Sequence, residues 1–178
     1  YNHNNIWIGL NNGDVLKSDD SGKTWKTILN AGDEITEFLI SKTDSRQALV
    51  STESRGVYKT TDGGENWTSV MDAMNEFRNG ANVYTLVQSD DSGTVIAATG
   101  YGLLRSEDFG DSWEEIELIT SPGQVQIRAV GIDADNPSTI YYAANSTFYR
   151  SLDGGSTWET ERLASSRTPT TLLVDPTD

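Results

Sequence analysis

The sequence predicts an all-β fold, a β-propeller of four-stranded antiparallel blades, and three observations support the prediction. The pattern [S/T]-x-D-x-G-x-[T/S/N]-W occurs four times along the chain. Its tryptophans, Trp25, Trp67, Trp113 and Trp158, are 42, 46 and 45 residues apart, a period typical of a propeller blade. No segment shows helical periodicity over the length of an ordinary helix, so short strands are expected throughout.

Each copy of the pattern is predicted to be a tight turn between two strands. In such a turn the Asp can accept backbone N–H bonds, the Gly supplies a positive φ, and the Ser or Thr adds a hydroxyl bond. The Trp begins the outgoing strand and is predicted to be mostly buried over the turn. The residues with this structural role are Ser18, Asp20, Gly22, Trp25, Thr60, Asp62, Gly64, Trp67, Ser106, Asp108, Gly110, Trp113, Ser151, Asp153, Gly155 and Trp158.

The pattern resembles the Asp-box, or BNR, repeat of sialidases, the sortilin ectodomain, a group of xyloglucanases and the photosystem II assembly factor family. The resemblance covers all four copies, at residues 18–25, 60–67, 106–113 and 151–158. It implies a propeller fold, but those families share the fold and little else, so it does not specify a function. A catalytic or calcium-binding role for the repeated Asp is disfavoured, because a repeated residue in a repeated turn needs only a structural role.

Each repeat is predicted to contain four strands, A to D, with the Asp box joining C to D. The first repeat supplies strand B at 6–10, strand C at 14–18 and strand D at 25–29. A strand A at 37–40 opens the second repeat, and residues 171–174 are predicted to form a last strand A. We therefore treat residues 1–178 as a single propeller region.

Two architectures are compatible with this strand order. Residues 171–174 could pair with residues 6–10 and close a four-bladed ring, which would cover both edges. Alternatively, the four repeats form a stretch of a larger ring, with residues 175–178 starting the turn to another strand B. We prefer the larger ring, because closure with four blades is rare.

One face of the predicted ring is constant and the other is variable. The connections from strand D to strand A differ in length between repeats, and they lie on the same face as the B-to-C turns. Binding residues concentrate in variable loops on a rigid scaffold. The candidate binding residues on this face are Asn12, Arg55, Met71, Met74, Phe77, Arg78, Tyr101 and Asn145. For the methionines, the alternative is that they fold inward against the blade.

Composition excludes several kinds of site and partner. The 178 residues include 13 basic and 27 acidic side chains, a net charge of −14, which disfavours nucleic acids and anionic membranes as partners. Cysteine is absent and His3 is the only histidine. We expect no metal and no cofactor, and no apolar run is long enough for membrane insertion.

Two functions of different classes fit the sequence. The first is a non-catalytic interaction or scaffold module that binds a protein or a glycan through the variable face, in an extracytoplasmic protein. The second is a segment of an Asp-box glycoside hydrolase of xyloglucanase or sialidase type. Glycoside cleavage needs two carboxylates facing each other across a pocket, and no pair is singled out among the many acids. The Arg-Ile-Pro type of motif that the resemblance to sialidases would lead us to expect before the boxes is absent from this sequence. We therefore prefer the first function and assign no catalytic residue.

Overall fold

The computed structural model describes residues 4–90 and 93–175. Those residues form four antiparallel sheets, which we call blades 1 to 4 in chain order. Blade 1 contains β1 (Ile6–Gly9), β2 (Asp14–Ser18) and β3 (Lys26–Asn30). Blade 2 contains β4 (Ile35–Ile40), β5 (Ala48–Thr52), β6 (Val57–Thr60) and β7 (Thr68–Ser69). Blade 3 contains β8 (Val83–Gln88), β9 (Val95–Thr99), β10 (Leu103–Ser106) and β11 (Glu114–Ile116). Blade 4 contains β12 (Ala129–Ile132), β13 (Ile140–Ala144), β14 (Thr147–Ser151) and β15 (Glu159–Arg162).

The predicted all-β fold with one blade per box is confirmed. Within each sheet the strands pair in chain order, and each box joins the last two strands of its blade. The helix α1 (Met71–Asn75) spans one turn and a half in the connection between blades 2 and 3. Strands β4, β8 and β12 lie side by side at the inner edge of the arc of blades.

The apolar cores lie between blades. Every strand residue points to one of two faces, and we call the face toward the following blade the leading face and the opposite one the trailing face. Between blades 2 and 3, Leu49 and Val57 on the leading face pack with Val95 and Ala97 on the trailing face. Between blades 3 and 4, Ile96 and Leu103 pack in the same way against Ile140. Each blade is therefore stabilised chiefly by its neighbours.

The prediction that all four box tryptophans are mostly buried is wrong for one of them. Trp113 is 6% exposed, whereas Trp25 is 39% exposed. The ring of Trp67 meets that of Trp7 in blade 1 at 5.8 Å, so the box tryptophan packs on the preceding blade. Among the described residues no blade precedes blade 1, and Trp25 is left with a 3.1 Å bond from its Nε1 to Gly22 in its own box.

Residues 171–174 do not form the predicted last strand. Leu172 and Val174 lie against Gly131 of β12, while Leu173 is 90% exposed. A strand needs a hydrogen-bonded neighbour, and β1, the neighbour that would close a four-bladed ring, pairs only with β2 within the described part of the chain. His3 and residues 176–178 of the predicted turn lie outside the described residues.

The burial difference between Trp113 and Trp25 predicts different costs of truncation. Trp113→Ala is expected to lower the free energy of unfolding by about 3–5 kcal/mol, the usual cost of removing a large core aromatic. Trp25→Ala is expected to cost roughly half of that or less, because less apolar area leaves water. Urea unfolding followed by circular dichroism measures both, and equal costs would contradict this account of the tryptophans.

Candidate functional site

Each of the four Asp boxes contains the same pattern of hydrogen bonds, and box 4, at residues 151–158, illustrates it. The Ser151 hydroxyl donates to Asp153 Oδ1 at 2.8 Å and accepts the Gly155 N–H at 2.8 Å. Asp153 accepts the backbone N–H of Thr157 at 2.8 Å and its hydroxyl at 2.6 Å. The same bonds recur around Asp20, Asp62 and Asp108. The box carboxylates thus fold the turn, and they point into it.

These hydrogen bonds lower the pKa of the box aspartates. The bonds from Thr24 to Asp20, from Asn66 to Asp62 and from Thr157 to Asp153 stabilise the charged form and bring each pKa to about 2. At Asp108 partial burial works against this effect, but the bonds from Ser112 and Ser106 prevail and the pKa is still lowered. All four carboxylates are therefore charged at neutral pH.

The box glycines bring neighbouring blades into close contact. Gly64 has φ +90°, and a Cβ there would lie 2.8 Å from Ile28 Cδ1 of blade 1. A Cβ on Gly155 would overlap Ile116 Cγ2 of blade 3. Gly22 in box 1 has a similar φ of +86°, but its Cβ would meet only Trp25 and Ile6, at 3.5 and 3.7 Å. Where a blade precedes the box, the glycine is required for two reasons. Its positive φ is one that other residues rarely adopt, and its lack of a side chain leaves room for the preceding blade.

The basic residue immediately before each of boxes 1 to 3 reaches the box of the following blade, and we call these residues, Lys17, Lys59 and Arg105, the latch cations. Lys17 Nζ donates to the Gly63 carbonyl at 3.1 Å. Lys59, only 8% exposed, donates to the Asp108 carbonyl and forms an ion pair with Asp111 at 2.8 Å. The Arg105 guanidinium lies beside Gly154 of box 4. Successive blades are therefore linked by polar contacts as well as apolar ones.

On the opposite, variable face, the most developed site surrounds Tyr101. Its ring packs against Phe77 with centroids 5.4 Å apart. Two clefts meet at Tyr101, one of about 290 Å³ that Arg78 and Pro122 also line, and one of about 240 Å³ that Glu115 also lines. The Glu115 carboxylate beside the Tyr101 hydroxyl raises the pKa of that hydroxyl. We call this pair of clefts the Tyr101 site.

Tight backbone contacts hold the Tyr101 site in place. The Gly123 N–H donates to the Tyr101 carbonyl at 2.7 Å, and the Gly100 N–H donates to the Asn82 carbonyl at 2.9 Å. Pro122 and Gly123, with φ +73° at the glycine, occupy the centre of a turn closed by a bond from Gln124 to Ser121. This sequence is typical of a type II turn. The loops that line the clefts are thus anchored to blade 3.

Comparisons with known proteins agree with this geometry. The sequence profile of the family described as "Sortilin, neurotensin receptor 3" matches residues 13–100. The photosystem II assembly lipoprotein Ycf48 of Synechococcus sp. (strain CC9902) is 26% identical over 154 residues, which cover 83% of this chain and 42% of that protein. With four boxes of one geometry on four blades and these relatives, the assignment is clear. The chain has the fold and the boxes of an Asp-box β-propeller.

Solved structures extend the comparison to the fold alone. A crystal structure of the GH74 enzyme of Niastella koreensis superposes with a TM-score of 0.75 at 18% identity, covering 92% of this chain and 28% of that one. A structure of Ycf48 bound to D1 peptide superposes with a TM-score of 0.52 at 13% identity, covering 89% and 79%. In the sequence match with the Ycf48 lipoprotein, this chain spans less than half of that protein's length.

The structure brings together some of the predicted binding residues and separates others. Phe77, Arg78 and Tyr101 meet at the Tyr101 site. Asn12 instead bonds to Asp14 within its own turn, at 2.8 and 3.1 Å. Neither Arg55 nor Asn145 lines the clefts: Arg55 lies beside Gly32, and Asn145 is exposed in the β13–β14 turn with φ +53°.

The prediction that Met74 belongs to the binding face is wrong. Met74 is fully buried in the core between blades 2 and 3, where its sulfur lies near Gly56. The helix α1 turns this residue inward, and Met71 beside it is half-buried. Met74 therefore stabilises the packing of the blades, while Met71 and Phe77 remain partly exposed at the rim of the loop.

Sequence reasoning missed a larger cleft at the inner edge of the blades. It measures about 520 Å³ and is lined by Glu37, Tyr84, Thr85 and Arg128, together with residues 170–172. The Arg128 guanidinium lies 4.7 Å from the centre of the Tyr84 ring, and Thr85 Oγ1 lies 3.4 Å from Glu37 Oε2. A polar residue within an otherwise apolar strand A, as at Glu37, was the signal that could have indicated it.

The described part of the Asp-box propeller lacks two kinds of feature. It contains no group of three or more His, Cys, Asp or Glu side chains arranged to hold a metal ion. It also contains no helix that is long and apolar enough to cross a membrane.

The lowered pKa of the box aspartates predicts loss of stability in acid. A carboxyl with pKa about 2 in the folded chain and about 3.9 in the unfolded chain stabilises the fold above pH 4. This contribution is lost as the pH falls through 4 toward 2, because the unfolded chain then binds more protons. The urea midpoint is expected to fall over this range, and less steeply in Asp153→Asn. Asp72→Asn, on the exposed surface of α1, is the control and should keep the wild-type slope; an unchanged slope in Asp153→Asn would contradict the assignment.

Proposed function

We propose that this chain is a non-catalytic protein-binding module and that the Tyr101 site makes the contact with its partner. The observation that supports this most strongly is the convergence of Phe77, Arg78 and Tyr101 beside two clefts. Aromatic residues and arginine are enriched at the energetic centres of protein interfaces. A tyrosine held rigidly by its neighbours also loses little conformational entropy on binding.

The relatives support a protein partner. Ycf48 is named an assembly lipoprotein, and a structure of Ycf48 contains D1 peptide. We carry over from these names the class of partner, a polypeptide segment, and an extracytoplasmic location, as parts of the proposal. The clefts suit an extended segment, because Tyr101 and Pro122 line both of them, and they add a cationic side chain at Arg78 in one and a carboxylate at Glu115 in the other.

The Tyr101 site lacks the arrangement that glycoside cleavage requires. Its carboxylates, Glu115 and Glu117, come from a single segment on one side of the cleft, whereas hydrolysis needs two carboxyl groups on opposite sides of the substrate. Glu115 also lies beside the Tyr101 hydroxyl, whose pKa it raises. The similarity to a GH74 enzyme concerns the fold, and we do not carry that activity to this chain.

Selection of peptides from a random displayed library on the purified chain tests the proposal. Fluorescence anisotropy then gives the dissociation constant of each selected peptide for the chain and its variants. Tyr101→Ser is expected to weaken binding by about tenfold or more, the loss of 1.4 kcal/mol or more that is typical of a central interface aromatic. Arg78→Ala is expected to weaken binding of the peptides that carry a carboxylate.

The matched control is Tyr84→Ser, which removes the same side chain from the inner cleft and should leave binding of these peptides unchanged. Peptides that bind equally to the chain and to Tyr101→Ser would contradict the proposal. So would a chain that selects no peptide but binds xyloglucan oligosaccharides.

A further inference from the structure

One of the two clefts at the Tyr101 site combines an apolar wall with two carboxylates, and we call it the Glu115 cleft. It measures about 240 Å³ and lies between blades 3 and 4 on the variable face. Its apolar lining includes Tyr101, Leu118 and Ile119, and its charged lining consists of Glu115 and Glu117. A ligand that fills this cleft must therefore offer both an apolar part and a group that suits carboxylates.

The course of β11 and the residue after it places the two carboxylates together. Successive side chains of a strand point to opposite faces, so Glu115 and Glu117 lie on one face and Ile116 on the other. Ile116 is 4% exposed and packs against Gly155 of blade 4, whereas both glutamates are exposed. The Trp158 Nε1 donates to the Glu117 carbonyl at 2.8 Å. The segment that presents the two carboxylates is thus fixed on blade 4.

No basic residue of the described part of the chain neutralises these carboxylates. Neither Glu115 nor Glu117 forms an ion pair with a described residue. Among those residues, the only basic one that lines either cleft is Arg78, and it lines the other cleft. The net charge of −14 adds to the negative potential, and such a field attracts cationic partners. The charge of the Glu115 cleft is therefore left for a partner to balance.

The apolar wall of the cleft complements the other part of a basic side chain. Ile119 is 59% exposed, and Leu118 beside it is half-buried. Lysine and arginine pack their aliphatic stems on apolar surface and keep their charged heads in polar surroundings. The Tyr101 ring adds an aromatic face, which attracts a cation. The cleft thus matches a basic side chain along its whole length.

We propose that the Glu115 cleft takes a lysine or arginine side chain of the partner, so that the partner is a polypeptide segment with a basic residue. The stem of that side chain lies on Ile119 and Tyr101, and its cationic head pairs with Glu115 and Glu117. This inference rests on the proposed function, because it specifies which segment the Tyr101 site binds.

The peptides selected on the purified chain test this inference by their composition and by their response to charge. They are expected to be enriched in lysine and arginine relative to the starting library. In the tightest-binding peptide, replacement of the basic residue by glutamine is expected to raise the dissociation constant about fivefold or more, the scale of one or two partly exposed ion pairs.

A double variant of the chain, Glu115→Gln with Glu117→Gln, makes the reciprocal change. It is expected to weaken binding of the parent peptide by a similar factor and to leave binding of the glutamine peptide unchanged. It is also expected to reduce the weakening of parent-peptide binding by salt, because screening acts on the ion pairs that the variant removes. Ile119→Ser is expected to weaken binding of the parent peptide severalfold, because the stem loses its apolar contact.

The chain offers a matched control for each change. Glu114→Gln removes the same charge from the residue next to Glu115, which is exposed but does not line the cleft, and should leave the dissociation constant and its salt dependence unchanged. Leu152→Ser changes a residue of box 4 that is as exposed as Ile119, at 59%, and should leave binding unchanged. Circular dichroism establishes that each variant is folded.

The outcomes separate this inference from the proposed function. Selected peptides without basic enrichment, or basic peptides that bind the double variant as tightly as the parent chain, would overturn the inference. If Tyr101→Ser still weakened those peptides, the proposed function would stand without it. A chain that selects no peptide would overturn both.

Discussion

The arrangement of the blades depends on the contact between an Asp box and the blade before it. The hydroxyl and carboxylate of the box close the turn, which places the box glycine against an aliphatic side chain of the neighbouring blade, as at Gly64 and Ile28. The latch cation then donates to a carbonyl that the turn leaves free, as Lys17 does at Gly63. One turn therefore sets its own hairpin and the packing of the next blade at once.

This division of labour separates structure from binding. On the box face, the carboxylates and hydroxyls form hydrogen bonds within their own turns. These bonds lower the pKa of Asp62 and of the equivalent aspartates. On the opposite face, the loops need only connect strands, so their side chains can diverge. Phe77, Arg78 and Tyr101 meet there because two loops of different blades are anchored side by side.

The repeat made the fold predictable, since four copies of a turn at blade spacing require four similar hairpins. The repeat does not specify which neighbouring blade or loop each copy packs against. Trp25 and Trp113 occupy the same position in the box, yet among the described residues only Trp113 has a preceding blade to pack on. Met74 could not be placed from its loop, because a short helix decides which way it points. The inner cleft of Glu37, Tyr84 and Arg128 depends on three blades meeting at one edge, a juxtaposition that spacing along the chain does not reveal.

A comparison of two glycine substitutions tests the central claim most directly. Gly22→Ala and Gly64→Ala place a side chain at nearly the same backbone conformation, φ +86° and +90°, so both carry a conformational cost of about 1–2 kcal/mol. Only at Gly64 does the new Cβ overlap the preceding blade, which is expected to add about 1–3 kcal/mol. Urea unfolding of the two variants should therefore show Gly64→Ala to be clearly the less stable. Equal stability of the two would contradict the claim that the box glycine positions one blade on the next.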